Sequence, residues 1–236
     1  MCVLLIGIGV HPDHHLFVAA NRDELLVRPS AAPQIHTWNG LRVLAPRDVQ
    51  AGGTWEGINE TGLVVVITNR PDGDFDAARP SRGALCREAL GCPSAARVRD
   101  WIEGAVRSRR YNSFNLFHAD ARAAYVTSWN GALHSQPLDT GVHVLSNLHP
   151  LGELDVPEVR RLPRDAAALR ARFVGVLASH RPRDARDFRI CKHGEHYGTV
   201  SSSLLYTTRA AGAVLEYATG APCRAAFEGF ELAAPP

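Results

Sequence analysis

CVLLIGIGV (residues 2–10) and LFVAA (residues 16–20) are two apolar runs separated by His11-Pro12-Asp13-His14-His15. A Pro-Asp turn between two such runs predicts an antiparallel hairpin. The first run is too short to span a membrane, which takes about 20 apolar residues. No basic segment precedes it and no small-residue cleavage site follows it, so it does not read as a secretory signal. A lipoprotein signal would carry its cysteine after the run rather than before it. A buried strand is the expected structure, and a cytoplasmic chain with reduced thiols the expected setting.

Further strands are predicted at Leu41–Leu44, after the hairpin dipeptide Asn39-Gly40, and at LVVVIT (63–68), whose unbroken apolar character predicts burial on both faces. Two helices follow. One spans Ser81–Leu90. The other spans Ser94–Arg109, where Val98, Trp101, Ile102, Ala105 and Val106 recur at helical spacing and Ser94 is placed to cap. Strands resume at 113–118, 123–129 and 142–146, and Asp165–Ser179 predicts a third helix with Leu169, Phe173, Val176 and Leu177 on one face. Strands close the chain at 199–207, 213–217 and 225–230, and the Pro-rich residues 149–164 are expected to form a surface loop. This order predicts one α+β domain over residues 1–236, with helices layered on antiparallel sheets.

The composition is that of a globular protein: 45% hydrophobic and 21% charged over 236 residues. A net charge of +2 excludes a polybasic nucleic-acid or membrane binder. Nearly all the positive charge is arginine; Lys192 is the only lysine. No P-loop, HExxH, CxxC or GxSxG pattern occurs, and Gly7-Ile8-Gly9 lacks the third glycine of a dinucleotide fingerprint. Cys191, His193 and His196 have metal-ligand chemistry at tolerable spacing but no evident fourth ligand. A polar loop, with no metal, is the expectation there. Of the five cysteines, Cys86, Cys92, Cys191 and Cys223 stand in no motif.

Cys2 differs by position. Methionine aminopeptidase removes Met1 when a small residue follows, leaving a thiol and a free α-amine on one residue. That amine has a pKa of about 7.7–8.0, so it can take the thiol proton near neutral pH. Nucleophile and base then share a residue. The competing reading is a small buried hydrophobe, a common fate of free cysteine.

Asn21-Arg22-Asp23-Glu24 follows the second apolar run, with Arg28-Pro29 beyond it. Further along stand Arg47-Asp48 with Ala51-Gly52-Gly53-Thr54-Trp55, Thr68-Asn69-Arg70, Ser81-Arg82-Gly83, Tyr111-Asn112-Ser113-Phe114-Asn115-Leu116, Leu145-Ser146-Asn147 and Tyr197-Gly198-Thr199. In this order, and with Met1-Cys2, these segments resemble the NRDE family, also known as transport and Golgi organisation protein 2-like. That family is similar to the N-terminal nucleophile (Ntn) cysteine hydrolases, among them penicillin V acylases and bile salt hydrolases. The resemblance implies a four-layer αββα sandwich of two antiparallel sheets flanked by helices. It implies a site in which Arg22 favours the Cys2 thiolate, Asp23 holds the α-amine, and Asn69 and Asn147 donate to an oxyanion. Without Cys2 nearby, Asp23 and Glu24 read as turn acids, and the asparagines as turn formers after strands.

The sequence departs from the family at Val200, where arginine usually follows Tyr-Gly-Thr, and at Pro46 and Ser113, where glycine is usual. The first departure removes a cation from the implied site; Arg70 and Arg209 are candidates to replace it. Two functions follow, beside a third, a pseudoenzyme of lipid or acyl-thioester homeostasis, suggested only by the Val200 departure. One is an amidohydrolase or acyltransferase that cleaves a non-peptide C–N bond through a Cys2 thioester, acts on a small amide or acyl substrate and needs no cofactor. The alternative is a haem-binding or haem-trafficking protein on the same scaffold, with Cys2 and a histidine as axial ligands. Neither involves nucleic acid or a transmembrane segment, and the sequence leaves substrate and oligomeric state open.

Overall fold

The computed structural model describes residues 2–73, 75–208 and 212–233, without the side chains of Cys2 and Thr208. In chain order the elements are β1 (Cys2–Ile8), β2 (His14–Leu25), β3 (Ser30–Trp38), β4 (Leu41–Asp48), β5 (Glu56–Asn59), β6 (Val64–Asn69), α1 (Arg82–Leu90), α2 (Ala95–Ser108), β7 (Phe114–Ala119), β8 (Ala124–Trp129), β9 (Leu133–Pro137), β10 (Gly141–Ser146), α3 (Ala166–Leu177), β11 (Tyr197–Thr208), β12 (Ala213–Ala218) and β13 (Glu228–Leu232). They divide into two compact units, Met1–Arg28 with Thr140–Ala210 and Val214–Phe230, and Pro29–Asp139 with Ala211–Ala213 and Glu231–Pro236.

The first unit is built on a six-stranded sheet in the order β10-β1-β2-β11-β12-β13. β1 pairs antiparallel with β10 and β2, and β2 antiparallel with β11. The predicted hairpin is therefore the centre of this sheet. Val3, Leu5, Phe17 and Ala19 share one face with α3, where Phe173 stacks on Phe17 at 4.6 Å between ring centres. Leu4, Ile6, Leu16 and Val18 point the other way and are buried as well, which is why the runs are apolar at every position rather than alternating.

The second unit is an antiparallel seven-stranded meander, β3 to β9 in sequence order. The α1 and α2 helices bury Leu85, Leu90, Val98, Ile102 and Val106 against Val43, Val65, Ile67 and Leu116. Ser81 and Ser94 cap these helices by accepting from Gly83 N (3.1 Å) and Arg97 N (3.3 Å), each worth about 1 kcal/mol. Asn39 and Gly40 both have positive φ (51° and 80°), as a two-residue turn between β3 and β4 requires. Gly53 lies against α1: a Cβ there would sit 2.3 Å from the Gly83 carbonyl carbon.

Three expectations change. β2 continues to Leu25, so Asn21–Glu24 lie inside the strand rather than after it. Residues 149–164 are not only surface, because Leu154, Val156 and Val159 enter the core beside α3. The last strand starts at Glu228, since Ala221–Ala225 form a turn instead. β3 and β9 had no sequence signal. Both are edge strands, largely polar and exposed, and β3 carries Pro33 at an irregularity in its register.

Candidate active site

The register of the first sheet brings the site together. Cys2 pairs with Arg22, Arg22 pairs with Ser201 on the far side, and Val3 pairs with Ser146. Asn147 is the first residue past β10, next to the Ser146 that faces Val3. β1, β2 and β11 thus align positions 2, 22 and 201 in one row. The ladder slips at Val200: Thr199 pairs with Asp23 and Ser201 with Arg22, leaving Val200 in a bulge. Bulges recur beside active sites, where they re-aim side chains.

Asp23 is the electrostatic centre of the described site. Its side chain is fully buried, accepting from Lys192 Nζ at 2.6 Å and from Thr199 Oγ1 at 2.7 Å. Burial pushes the carboxyl up from its ordinary value, and the Lys192 charge with these two hydrogen bonds pulls it back. The Lys192 ammonium also lies 4.5 Å from the Phe188 ring centre. Lys192 is thus a cation held at Asp23, whose strand neighbour Thr199 precedes Val200. Arg70 is engaged with Asp72 and Asn115 in the second unit. Arg209 lies outside the described residues.

The Tyr197-Gly198-Thr199 segment acquires a physical meaning. Tyr197 Oη donates to the Asp23 carbonyl (2.9 Å), and Thr199 holds the carboxylate while accepting from Lys192 N (3.0 Å). A side chain at Gly198 would meet the Lys192 carbonyl oxygen at 2.8 Å. Asn21, in turn, ties β2 to its surroundings. Its Nδ2 donates to the carbonyls of Leu177 and Ile190, and its Oδ1 accepts from Ser202. Arg22 is 6% exposed and lies 3.8 Å from Glu24.

Asn147 is buried, and its Oδ1 meets no hydrogen-bond partner among the described residues. The turn carrying it is latched: Ser146 Oγ accepts from Leu148 N and His149 N and contacts His149 Nδ1 at 2.8 Å, while His149 Nε2 meets Asp184 at 3.1 Å. This Ser-His-Asp chain has the composition of a hydrolase triad. Ser146 is 1% exposed, however, and its oxygen is occupied by two backbone donors, so the chain fixes a turn. Asn69 closes β6 in the second unit and is exposed there. Cys2 is described by its backbone only.

A second group of reactive side chains stands on the first unit. His180, Cys191, His193 and Cys223 converge, whereas His196 is exposed and outside this set. A groove of this unit follows α3, past Arg172, Gly175 and His180.

The model of the transport and Golgi organisation 2 family matches residues 1–171. The chain belongs to this family. Among its relatives, the uncharacterised protein YGR127W of Saccharomyces cerevisiae is 38% identical over 135 residues, 51% of this chain and 42% of the yeast protein. The human transport and Golgi organisation protein 2 homologue is 30% identical over 132 residues, 52% of this chain and 47% of its own. The chain thus matches less than half the length of these two. The Bos taurus homologue aligns more fully, 26% identical over 87% of this chain and 88% of its own.

Penicillin V acylase from Agrobacterium tumefaciens has a similar structure, with TM-score 0.56 and 13% identity over 98% of this chain and 86% of that one. A conjugated bile acid hydrolase from Clostridium perfringens, solved with the cysteine at its second position mutated to alanine, gives 0.54 and 11% over 99% and 92%. The Caenorhabditis elegans N-acylethanolamine-hydrolyzing acid amidase orthologue gives 0.51 and 14% over 86% and 92%. The family member described here therefore has the α+β sandwich of the Ntn hydrolases, as its motifs implied. Among the described residues, no helix is long and apolar enough to cross a membrane.

Proposed function

We propose that the chain is an Ntn cysteine amidohydrolase or acyltransferase acting on a non-peptide amide. One observation carries the reading: the backbone position of Cys2 faces Arg22 across the ladder, next to an Asp23 carboxylate buried and fixed by Lys192 and Thr199. A buried carboxylate held this firmly at the end of a central hairpin is costly as mere structure and useful as a fixed charge near a nucleophile. The printed names of the structural neighbours, an acylase, a conjugated bile acid hydrolase and an acid amidase, support an amide substrate.

Once Met1 is removed, the Cys2 α-amine accepts the thiol proton and Arg22 favours the thiolate. The sulfur attacks the amide carbonyl, and Asn147 is the donor for the oxyanion. Collapse breaks the C–N bond, and the ammonium returns its proton to the leaving amine. Water then releases the acid from the thioester, or a second amine takes the acyl group. The haem-carrier alternative draws no support from the described residues.

The test uses N-acyl anilides of graded chain length with wild type and Cys2→Ala. The expected result is anilide cleavage, with a transient acyl adduct on Cys2 by mass spectrometry, both absent in the variant. Cleavage at an equal rate in Cys2→Ala, or no adduct and no cleavage with any acyl group, would refute the proposal.

A further inference from the structure

We propose that His180, Cys191, His193 and Cys223 form a structural zinc site of the two-cysteine, two-histidine type. One ligand atom from each lies within 4.8 Å of all the others. Zinc bonds of about 2.3 Å to sulfur and 2.0–2.1 Å to nitrogen, set tetrahedrally, place sulfur atoms about 3.8 Å apart and sulfur and nitrogen about 3.6 Å apart. Here the Cys191 and Cys223 sulfurs are 3.7 Å apart. His193 Nε2 is 3.7 Å from the first and 3.2 Å from the second. The rings of His180 and His193 meet edge to face, 5.0 Å between centres and 77° between planes, so they are not stacked against each other. These three distances match one face of such a tetrahedron, and His180 supplies the fourth corner within 4.8 Å of the others. Paired sulfur and imidazole ligands select zinc over magnesium or calcium, which take oxygen.

The ligands come from separate segments: the chain after α3, the short run 191–193, and the Ala221–Ala225 turn before β13. Local hydrogen bonds fix these segments without metal. Cys191 N donates to Ser179 O at 3.0 Å, His193 bridges to Gly198, and Arg224 N and Ala225 N close on Ala221 O at 2.9 Å each. Two ligands therefore flank Lys192, whose ammonium holds Asp23. A metal here would staple the lysine-bearing segment to two neighbours. The proposal does not depend on Cys2 chemistry.

The test uses the full chain, reduced and stripped of metal, titrated with zinc against a chromophoric chelator and with cobalt(II) by visible absorption. Binding of one zinc per chain is expected, together with intense tetrahedral cobalt bands near 600–700 nm and a sulfur-to-cobalt band in the near ultraviolet. His180→Ala and Cys223→Ser alter exposed residues, so the fold should survive. Each should weaken zinc binding at least about a hundredfold, with circular dichroism unchanged. Absent stoichiometric binding, weak octahedral cobalt bands, variants that bind like wild type, or a Cys191–Cys223 disulfide that persists in reductant would each overturn it.

Discussion

Lys192→Met removes the ammonium from a carboxylate that has no solvent access of its own. The Lys192 side chain is 17% exposed and that of Asp23 0%. Breaking one half of a buried pair costs roughly 3–5 kcal/mol, because the remaining charge stays buried. The Thr199 hydroxyl still serves Asp23 and the lysine is partly solvated, so the lower end, about 3 kcal/mol, is expected near pH 8. The pH dependence separates this account from simple loss of packing. Burial already raises the folded carboxyl above 3.8, and without Lys192 it rises further. A folded state that holds a proton more tightly than the unfolded chain gains stability below the unfolded value and loses it as pH rises through the folded one. The cost of the substitution should therefore shrink towards about 1 kcal/mol, the worth of one hydrogen bond, as pH falls towards about 4.5. Urea unfolding of wild type, Lys192→Met and the Asp23→Asn, Lys192→Met pair at both pH values measures it. The double variant, with no charge left to strand, should be more stable than Lys192→Met at pH 8. Equal losses at the two pH values, or a double variant weaker than the single one, would show that Lys192 acts through packing and not through the Asp23 charge.

Other consequences follow from the same contacts. His118 is fully buried against Ala95 O and Thr127 Oγ1, and burial holds it down to about 4 against an ordinary 6.5. The unfolded chain takes that proton first, so roughly 3 kcal/mol of stability should be lost as pH falls from about 6.5 to 4; His118→Gln should flatten that slope in urea titrations, and an unchanged slope would remove His118 as its source. Asn21→Leu strands two carbonyls and the Ser202 hydroxyl; at roughly 1–3 kcal/mol each, the melting temperature should drop by about 6 °C or more, and a drop under about 2 °C would contradict the accounting. Gly53→Ala drives a Cβ into the Gly83 backbone, whereas Gly104 in α2 has nothing within 4 Å. The first should destabilise by about 2–3 kcal/mol and Gly104→Ala stabilise by about 0.5–1 kcal/mol, compared in one calorimetric series; the reverse order would be fatal to this reading of the close approach.

What could be read from sequence was local. The 2–10 and 16–20 runs announce a hairpin because both faces are buried, and Ser81 and Ser94 announce helix starts because a cap acts within three residues of itself. Edge strands β3 and β9 gave no periodic signal, since one side of each meets solvent. The candidate site was half legible. Cys2, Arg22 and Asp23 stood out through family motifs, but Lys192 reaches Asp23 across 169 residues of sequence, which no spacing rule encodes. The same limit hid the second cluster. Cys191 and His193 invited pairing with neighbouring His196, whereas folding supplies His180 from just past the end of α3 and Cys223 from 32 residues beyond Cys191.

The account turns on Cys2 being a free N-terminal thiolate. The most direct measurement is limited alkylation of the native protein with iodoacetamide at neutral pH, followed by peptide mapping. The account predicts an N-terminal peptide that begins at Cys2 and is modified well before the half-exposed Cys92 and the exposed Cys223. A peptide that keeps Met1, or a Cys2 that reacts no faster than Cys92, would contradict it.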